Sequence, residues 1–230
     1  MFLLKYVLGL DFKAYLVPKL SNTFEISQAS GISRHSTGAK NLAIEATLHA
    51  HVIFCMIFTT PEQWQRKALA VKLTWAKRCD YYAFFYSKRD DVQLDGAYAL
   101  DVPEGRDHLT GKTMEAFRIS YKQYSKEVDW YLKADDDTYV IMENLRHFLH
   151  KYDPAKRLYL GHTSSDFLRK GYNSGGAGYT LSKAAAQALF EDADKFPTGC
   201  VADGGIEDLD IGRCLETLRY VFPHMHFKAL

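Results

Sequence analysis

Apolar runs of strand length recur along the chain, separated by segments with the three- and four-residue spacing of helices. Residues 51–58 (H-V-I-F-C-M-I-F) form a continuous apolar run, which is typical of a strand covered on both faces, as in a parallel sheet. Further strands are predicted at residues 81–86, 97–102, 130–134 and 158–161. Strands that alternate with helical segments predict an α/β fold.

The longest helical segment is marked by a stripe of apolar side chains. Its members follow one another at spacings of three and four and are Met114, Phe117, Tyr121, Tyr124 and Val128. Such a stripe predicts an amphipathic helix packed on a sheet. We therefore interpret these residues as core and not as part of a cofactor site.

A helix start signal follows the first long strand. Thr60 can cap a helix and Pro61 suits its first position. The apolar face of this helix is then predicted to contain Leu69, Leu73 and Ala76. A helix N-terminus after a buried strand can bind an anion, although an ordinary capped helix is the better interpretation of this stretch by itself.

Two shorter helices complete the pattern. Leu145, Phe148 and Leu149 mark one of them, and the other is an alanine-rich segment at residues 182–190. Ser182 is placed to cap the second helix, because a serine side chain can accept a hydrogen bond from a free backbone N–H of the first turn.

Composition places the chain among ordinary globular proteins. It has 230 residues, of which 47% are hydrophobic and 25% are charged, which is enough for one sizeable core in one domain or at most two. The formal net charge is +1 at pH 7, without the basic excess of most nucleic-acid-binding domains. We expect no nucleic acid partner.

The four cysteines leave two interpretations open. In an oxidising compartment we expect disulfides between Cys55 and Cys79 and between Cys200 and Cys214, because each pair flanks one segment of the chain. In a reducing compartment the same residues are four free thiols.

The N-terminal part of the chain is poorly specified by its sequence. Residues 1–10 are apolar but interrupted by Lys5, and they are fewer than the roughly 20 residues that cross a bilayer. We interpret residues 1–50 as a leader or stem-like segment and residues 51–230 as the folded domain.

Three consecutive carboxylates, Asp135, Asp136 and Asp137, directly follow the predicted strand at 130–134. Such neighbours repel one another by about 4 kcal/mol per pair at about 4 Å in an effective dielectric of about 20, and a divalent cation would compensate them. A solvated turn or helix cap is the alternative. Ligands in open α/β sheets bind beyond the carboxyl ends of strands, which favours a site.

Two other segments carry candidate chemistry. Residues 171–179 contain four glycines, which suit either close approach to a ligand or a tight turn, and their spacing matches no phosphate-binding motif. Residues 206–214 contain Glu207 and Asp208 directly after Ile206. These carboxylates are either helix-dipole stabilisers or candidates for a general base.

Three motifs together resemble one enzyme family. They are D-W-Y-L-K-A-D-D-D-T-Y-V, G-Y-N-S-G-G-A-G-Y-T-L-S and I-E-D-L-D-I-G-R-C-L-E, in this order. In combination they are similar to the core 1 β1,3-galactosyltransferases of animals, relatives of the Fringe glycosyltransferases. The resemblance covers residues 51–217 and implies a GT-A fold, with a single mixed, mostly parallel sheet flanked by helices.

The resemblance implies an inverting, metal-dependent transfer of galactose from UDP-galactose to O-3 of N-acetylgalactosamine on Ser or Thr of a glycoprotein. Mn²⁺ is the implied cofactor, and Mg²⁺ also suits oxygen ligands. Asp135 and Asp137 would ligate the metal, with His224, or His226 in its place, as the candidate for the third ligand. Asp208 would be the catalytic base, with Glu207 as the alternative. The residues expected to border the nucleotide are Thr59, Thr60, Asp135, Asp136, Gly175 and Gly176.

The resemblance also implies a setting. Family members are type II membrane proteins of the Golgi lumen. We expect that residues 1–10 do not form the membrane anchor of such a protein. A homodimer is compatible with the family. Because family members continue beyond the position of Leu230, we expect the domain at 51–230 to be shortened at its C-terminal end. The alternatives are a non-catalytic, chaperone-like or inactive paralogue of the same fold, or a Fringe-like β1,3-N-acetylglucosaminyltransferase.

Overall fold

The apolar runs of the sequence pair into one main sheet. The fold is given by a computed structural model that describes residues 32–34, 51–89, 91–195 and 199–220. Within these ranges the main sheet has seven strands. They are β1 (Ile32–Arg34), β2 (Ile53–Phe58), β3 (Tyr81–Ser87), β4 (Ala97–Leu100), β5 (Trp130–Asp135), β6 (Tyr159–Gly161) and β9 (Tyr179–Ser182). A separate two-stranded ribbon consists of β7 (Thr163–Ser164) and β8 (Tyr172–Asn173).

The main sheet is mixed but mostly parallel. Its strand order is β1-β3-β2-β5-β9-β6, and β4 pairs with β3 outside this path. Strand β2 pairs in parallel with both β3 and β5, so the predicted strand at 51–58 lies in the centre of the sheet. Every residue of β2 and β3 is buried, which explains why their sequences show no alternation of polar and apolar residues.

Strand β9 was not predicted from the sequence. It pairs antiparallel with both β5 and β6 and so separates two strands that run in the same direction. Its four residues directly follow the glycine-rich segment and directly precede a helix, so they resemble part of a loop and a helix cap.

Helices cover both faces of the sheet. They are α1 (Leu69–Leu73), α2 (Leu109–Tyr124), α3 (Met142–Leu149), α4 (Lys183–Asp192) and α5 (Glu207–Thr217). Apolar side chains of α2, α4 and α5 form one buried cluster on one face. Those of α1 and α3 form another on the opposite face. This arrangement confirms the predicted α/β class and is consistent with a GT-A fold.

Most helix predictions are confirmed. The side chains of Met114, Phe117 and Tyr121 are buried against the sheet, as the apolar stripe predicted. Ser182 caps α4 by accepting a hydrogen bond from the backbone N–H of Ala185 at 3.2 Å.

The predicted face of the first helix is wrong in part. Leu73 is 67% exposed, whereas Trp64 and Val71 are buried. The helix starts with a π-helical turn at Trp64–Ala68 and not with a cap from Thr60. A π-helical turn rotates the following residues relative to a regular helix, because each of its hydrogen bonds spans one additional residue.

Both disulfides expected for an oxidising compartment are present. Cys55, in the middle of β2, is bonded to Cys79, which directly follows a short 3₁₀ turn. Cys200 is bonded to Cys214 in α5. The second disulfide ties the loop before α5 to the helix itself, and this helix begins with two of the candidate site residues.

The proposed boundary at residue 50 stays a prediction, because of residues 1–50 the structure describes only 32–34. These three residues pair antiparallel with the first half of β3. Among the helices of the described ranges, none combines the length and the hydropathy that a bilayer-spanning segment requires.

Candidate active site

A cleft of about 670 Å³ opens at the carboxyl ends of the central strands. Strands β2 and β5 are parallel neighbours with Phe58 opposite Asp135, so the residues that follow them emerge side by side. The cleft brings together every predicted site residue that the structure describes: Thr59, Thr60, Asp135, Asp136, Asp137, Gly175, Gly176, Glu207 and Asp208. The candidates for the third metal ligand, His224 and His226, lie outside the described residues.

The three aspartates have three different environments. Asp136 is directed inward, where the hydroxyl of Thr59 donates to its carboxylate at 2.7 Å. Burial raises the pKa of Asp136, and the hydrogen bond from Thr59 offsets part of this effect. The side chain of Asp137 is 63% exposed and contacts the ammonium group of Lys67 at 3.1 Å. Asp135 is partly exposed and contacts Lys133 at 2.8 Å.

The chemistry of these groups fits a divalent cation. Asp135 and Asp137 present accessible carboxylates on either side of the inward-directed Asp136, and hard oxygen ligands suit Mn²⁺ or Mg²⁺. The ammonium of Lys67 also lies 3.8 Å from Asp136. A cationic side chain therefore lies next to these carboxylates at this edge of the cleft. In the described part of the chain, no three His, Cys, Asp or Glu side chains are grouped to hold a metal.

Lys133 lies beneath the aspartates in the middle of β5. Its ammonium group is within 2.8 Å of Asp135 and 3.8 Å of Glu207, and it donates to the carbonyl oxygen of Gly175 at 3.3 Å. It also lies 5.5 Å from the ring centre of Phe58 and 6.0 Å from that of Tyr179. Burial by itself lowers the pKa of Lys133, but Glu207 and Asp135 outweigh burial and hold the net pKa above the ordinary value.

The structure separates the roles open to Glu207 and Asp208. Glu207 is buried, with one oxygen accepting from the hydroxyl of Tyr179 at 2.7 Å and the other near Lys133. Burial raises the pKa of Glu207, and Lys133 offsets part of the shift. Asp208 is half-buried and accepts from the backbone N–H groups of Gly175 at 3.2 Å and Leu209 at 2.9 Å. Both carboxylates line the cleft, and Asp208 is the more accessible.

The glycine-rich segment forms a tight turn against these groups. A Cβ atom at Gly175 would lie 2.6 Å from a carboxylate oxygen of Glu207, so only glycine fits between Lys133 and the start of α5. Gly178 has a φ of +79°, in the left-handed region that glycine adopts without strain. The hydroxyl of Thr138 donates to the carbonyl oxygen of Gly176 at 3.1 Å and links the turn to the residue after the aspartates.

Three lysines of the cleft, Lys67, Lys112 and Lys133, were missed by sequence reasoning. Lys112 is buried in the first turn of α2, where it donates to the backbone oxygen of Thr59 at 3.1 Å and lies 3.5 Å from Glu104. Burial lowers the pKa of Lys112, and Glu104 opposes this shift. A signal existed for Lys133, because a cation in a strand predicted to be covered on both faces requires buried carboxylates.

The sequence of this chain is similar to one protein family and to several known proteins. The model of the Fringe-like family matches residues 48–228. Glycoprotein-N-acetylgalactosamine 3-beta-galactosyltransferase 1 of Xenopus laevis is 37% identical over 198 residues, which make up 86% of this chain and 54% of that protein. A beta-1,3-glucosyltransferase of Mus musculus is 24% identical over 177 residues, which make up 75% of this chain and 35% of that protein. Chondroitin sulfate synthase 3 of Mus musculus is 22% identical over 211 residues, or 80% of this chain and 23% of that protein.

The match to the family model covers the whole cleft. It includes the strand that ends in the three aspartates, the glycine-rich turn and the acidic start of α5. The chain spans about half the length of the Xenopus relative and a smaller part of the other two. From the extent of the family match, the chain belongs to the Fringe-like family of glycosyltransferases.

Proposed function

We propose that this chain carries the catalytic cleft of an inverting β1,3-galactosyltransferase. The reaction transfers galactose from UDP-galactose to O-3 of N-acetylgalactosamine on Ser or Thr of a glycoprotein. The observation that carries the proposal is the juxtaposition, in one cleft, of the carboxylates Asp135 and Asp137 with the accessible carboxylate Asp208. The similarity to the Xenopus glycoprotein-N-acetylgalactosamine 3-beta-galactosyltransferase 1 supports the choice of donor and acceptor.

The donor side of the proposed site consists of the ends of β2 and β5. Thr59 and Thr60 would border the nucleotide, and Asp135 and Asp137 would hold Mn²⁺, or Mg²⁺ in its place. When bound, the metal would neutralise the diphosphate and act as a Lewis acid on the departing UDP. The turn at Gly175 and Gly176 would lie between the donor and the acceptor.

Asp208 is proposed as the base. Its carboxylate would take the proton from O-3 of the acceptor sugar as that oxygen forms a bond to C1 of galactose. The bond between C1 and the β-phosphate oxygen breaks in the same step, so that UDP leaves from the opposite face and the configuration inverts. Glu207 is the weaker candidate, because its two oxygens are already held by Tyr179 and Lys133.

The cellular setting follows from the family and is also a proposal. We propose a type II membrane protein of the Golgi lumen, anchored by a segment that the described residues do not contain. The two disulfides agree with an oxidising compartment.

The experiment is an assay of purified protein with Mn²⁺, UDP-galactose and a peptide that carries N-acetylgalactosamine. We expect the disaccharide to form, and we expect both EDTA and Asp137→Ala to abolish it. The matched control is Asp153→Ala. Asp153 lies in the turn before β6, at the other end of the sheet, and its side chain accepts from the backbone N–H of Ala155.

Other outcomes identify the alternatives. Transfer that survives both EDTA and Asp137→Ala refutes the metal proposal. Transfer from UDP-N-acetylglucosamine or UDP-glucose in preference to UDP-galactose refutes the proposed donor. The absence of both transfer and UDP binding in calorimetry with Mn²⁺ favours a non-catalytic paralogue.

A further inference from the structure

Lys133 is a buried side chain that contacts three separate parts of the candidate site. Its ammonium contacts Asp135 in the acidic motif, the carbonyl of Gly175 in the glycine-rich turn and Glu207 at the start of α5. Its side chain is only 6% exposed. A buried cation is costly unless it is paired, so these contacts define where the three segments can lie relative to one another.

The contacts of Glu207 extend this network to the proposed base. Glu207 is held by Lys133 and by the hydroxyl of Tyr179, and Asp208 is the next residue of α5. Asp208 in turn accepts a hydrogen bond from the backbone N–H of Gly175, whose carbonyl oxygen accepts from Lys133. The base and the acidic motif are therefore connected through one ammonium group.

We propose that Lys133 is a positioning residue, which fixes the distance between Asp208 and the donor side of the cleft by holding Asp135, the Gly175 turn and Glu207 together. This inference rests on the proposed function for its catalytic readout. Removal of residues that orient ligands of a site costs roughly 10- to 100-fold in metal affinity or activity. A purely structural ion pair would instead affect only the fraction of folded protein.

The test separates these two roles with a pair of substitutions. Lys133→Met leaves Glu207 buried without its cation, so we expect a lower Tm and a kcat reduced by roughly 10- to 100-fold. Addition of Glu207→Gln removes the unpaired charge, and the new amide oxygen can still accept from Tyr179. We therefore expect the double variant to regain Tm, while its kcat stays low because no ammonium joins the three segments.

The matched control is the pair formed by Arg146 and Asp80. Its N–O distance is 2.8 Å and its side chains are 9% and 26% exposed, against 2.8 Å and 6% and 34% for Lys133 and Asp135. Asp80 accepts from the backbone N–H of Ile53, at the end of β2 remote from the cleft. We expect Arg146→Met to lower Tm and to leave kcat unchanged.

Recovery of kcat together with Tm in the double variant would refute the positioning role. If the double variant does not fold, Glu207→Gln by itself gives the answer, since it retains the shape and the bond to Tyr179. A kcat lowered at unchanged Tm, with the pH dependence of the unsubstituted protein retained, then supports the proposal. An unchanged kcat refutes it, and so does a lowered kcat whose pH dependence is lost, since that result would make Glu207 the base.

The proposal and the proposed function can fail separately. If the unsubstituted chain transfers no galactose, the function fails, and Lys133 is tested by titration of UDP in the presence of Mn²⁺. An affinity that falls roughly tenfold or more in the folded double variant, and not in Arg146→Met, supports the positioning role on the donor side. An unchanged affinity refutes it.

Discussion

The substitution Asp208→Asn tests the proposed base with the least disturbance of shape. Asparagine has the size of aspartate but cannot take a proton from a sugar hydroxyl at neutral pH. In the structure, the two oxygens of Asp208 accept from the backbone N–H groups of Gly175 and Leu209. An amide oxygen can retain one of these bonds, whereas the amide NH₂ faces the other donor and that bond is lost.

The expected losses in stability and in rate differ enough to be separated. One lost hydrogen bond costs about 0.5–1.5 kcal/mol, out of a typical total stability of about 5–15 kcal/mol, so the variant remains folded. A general base contributes roughly 10²- to 10⁴-fold to the rate, which corresponds to about 2.7–5.5 kcal/mol in the activation barrier. The fall in kcat therefore cannot come from unfolding.

The assay compares initial rates of galactose transfer at saturating substrates with urea unfolding of the same samples. Asp153→Asn is the control, because Asp153 also accepts one backbone N–H, that of Ala155 at 2.9 Å, but lies at the other end of the sheet. A kcat of Asp208→Asn within one order of magnitude of the unsubstituted protein would refute the assignment. If Glu207→Gln abolished transfer in that case, Glu207 would be the base.

Three further substitutions test the packing of the site and of the first helix. Gly175→Ala should lower the free energy of unfolding by about 1–3 kcal/mol, because its Cβ would lie 2.6 Å from an oxygen of the held Glu207; an unchanged urea midpoint would contradict this close approach. Thr59→Val removes the donor that lies 2.7 Å from Asp136 and should cost about 1–3 kcal/mol, whereas a thermal unfolding curve that does not move would show that this bond contributes nothing. Leu73→Gln should change the free energy of unfolding by less than about 0.5 kcal/mol, because Leu73 is 67% exposed. A larger loss would indicate that Leu73 is buried, as predicted from the sequence.

The central strands were predictable because their environment is uniform. A strand such as Ile53–Phe58, with helices on both faces and strands on both edges, needs apolar residues at every position. The strand at Tyr179–Ser182 has the same burial but contains Thr180 and Ser182, and it is only four residues long. Its position between β5 and β6 is set by pairing with distant residues, which local sequence does not encode.

The location of the site was predictable because ligands bind beyond the carboxyl ends of buried strands. Asp135 and Asp137 follow such a strand and line the cleft, whereas the cation that these carboxylates predict stays a prediction. The lysines Lys67 and Lys112 gave no such signal, because a lysine on an amphipathic helix is normally solvated. Lys67 lies in the π-helical turn before α1 and Lys112 in the first turn of α2, and tertiary packing brings both ammonium groups into the cleft.

The charge of the cleft argues that its ligands bind together and not independently. If all of the described residues that line it are ionised, seven carboxylates oppose four cations, a formal net charge of −3. The carboxylates are Glu104, Asp107, Asp135, Asp136, Asp137, Glu207 and Asp208, and the cations are Lys67, Arg106, Lys112 and Lys133. A nucleoside diphosphate adds further negative charge and would be repelled by such a cleft.

A divalent cation changes this balance in two ways. It would reduce the net negative charge of the cleft, and it would give the diphosphate oxygens a ligand on the protein. Because Lys67 already lies 3.1 Å from Asp137, a metal at this position would compete with the lysine and free its ammonium group. If the proposed function is correct, this charge distribution favours joint binding of the metal and UDP over binding of UDP by itself.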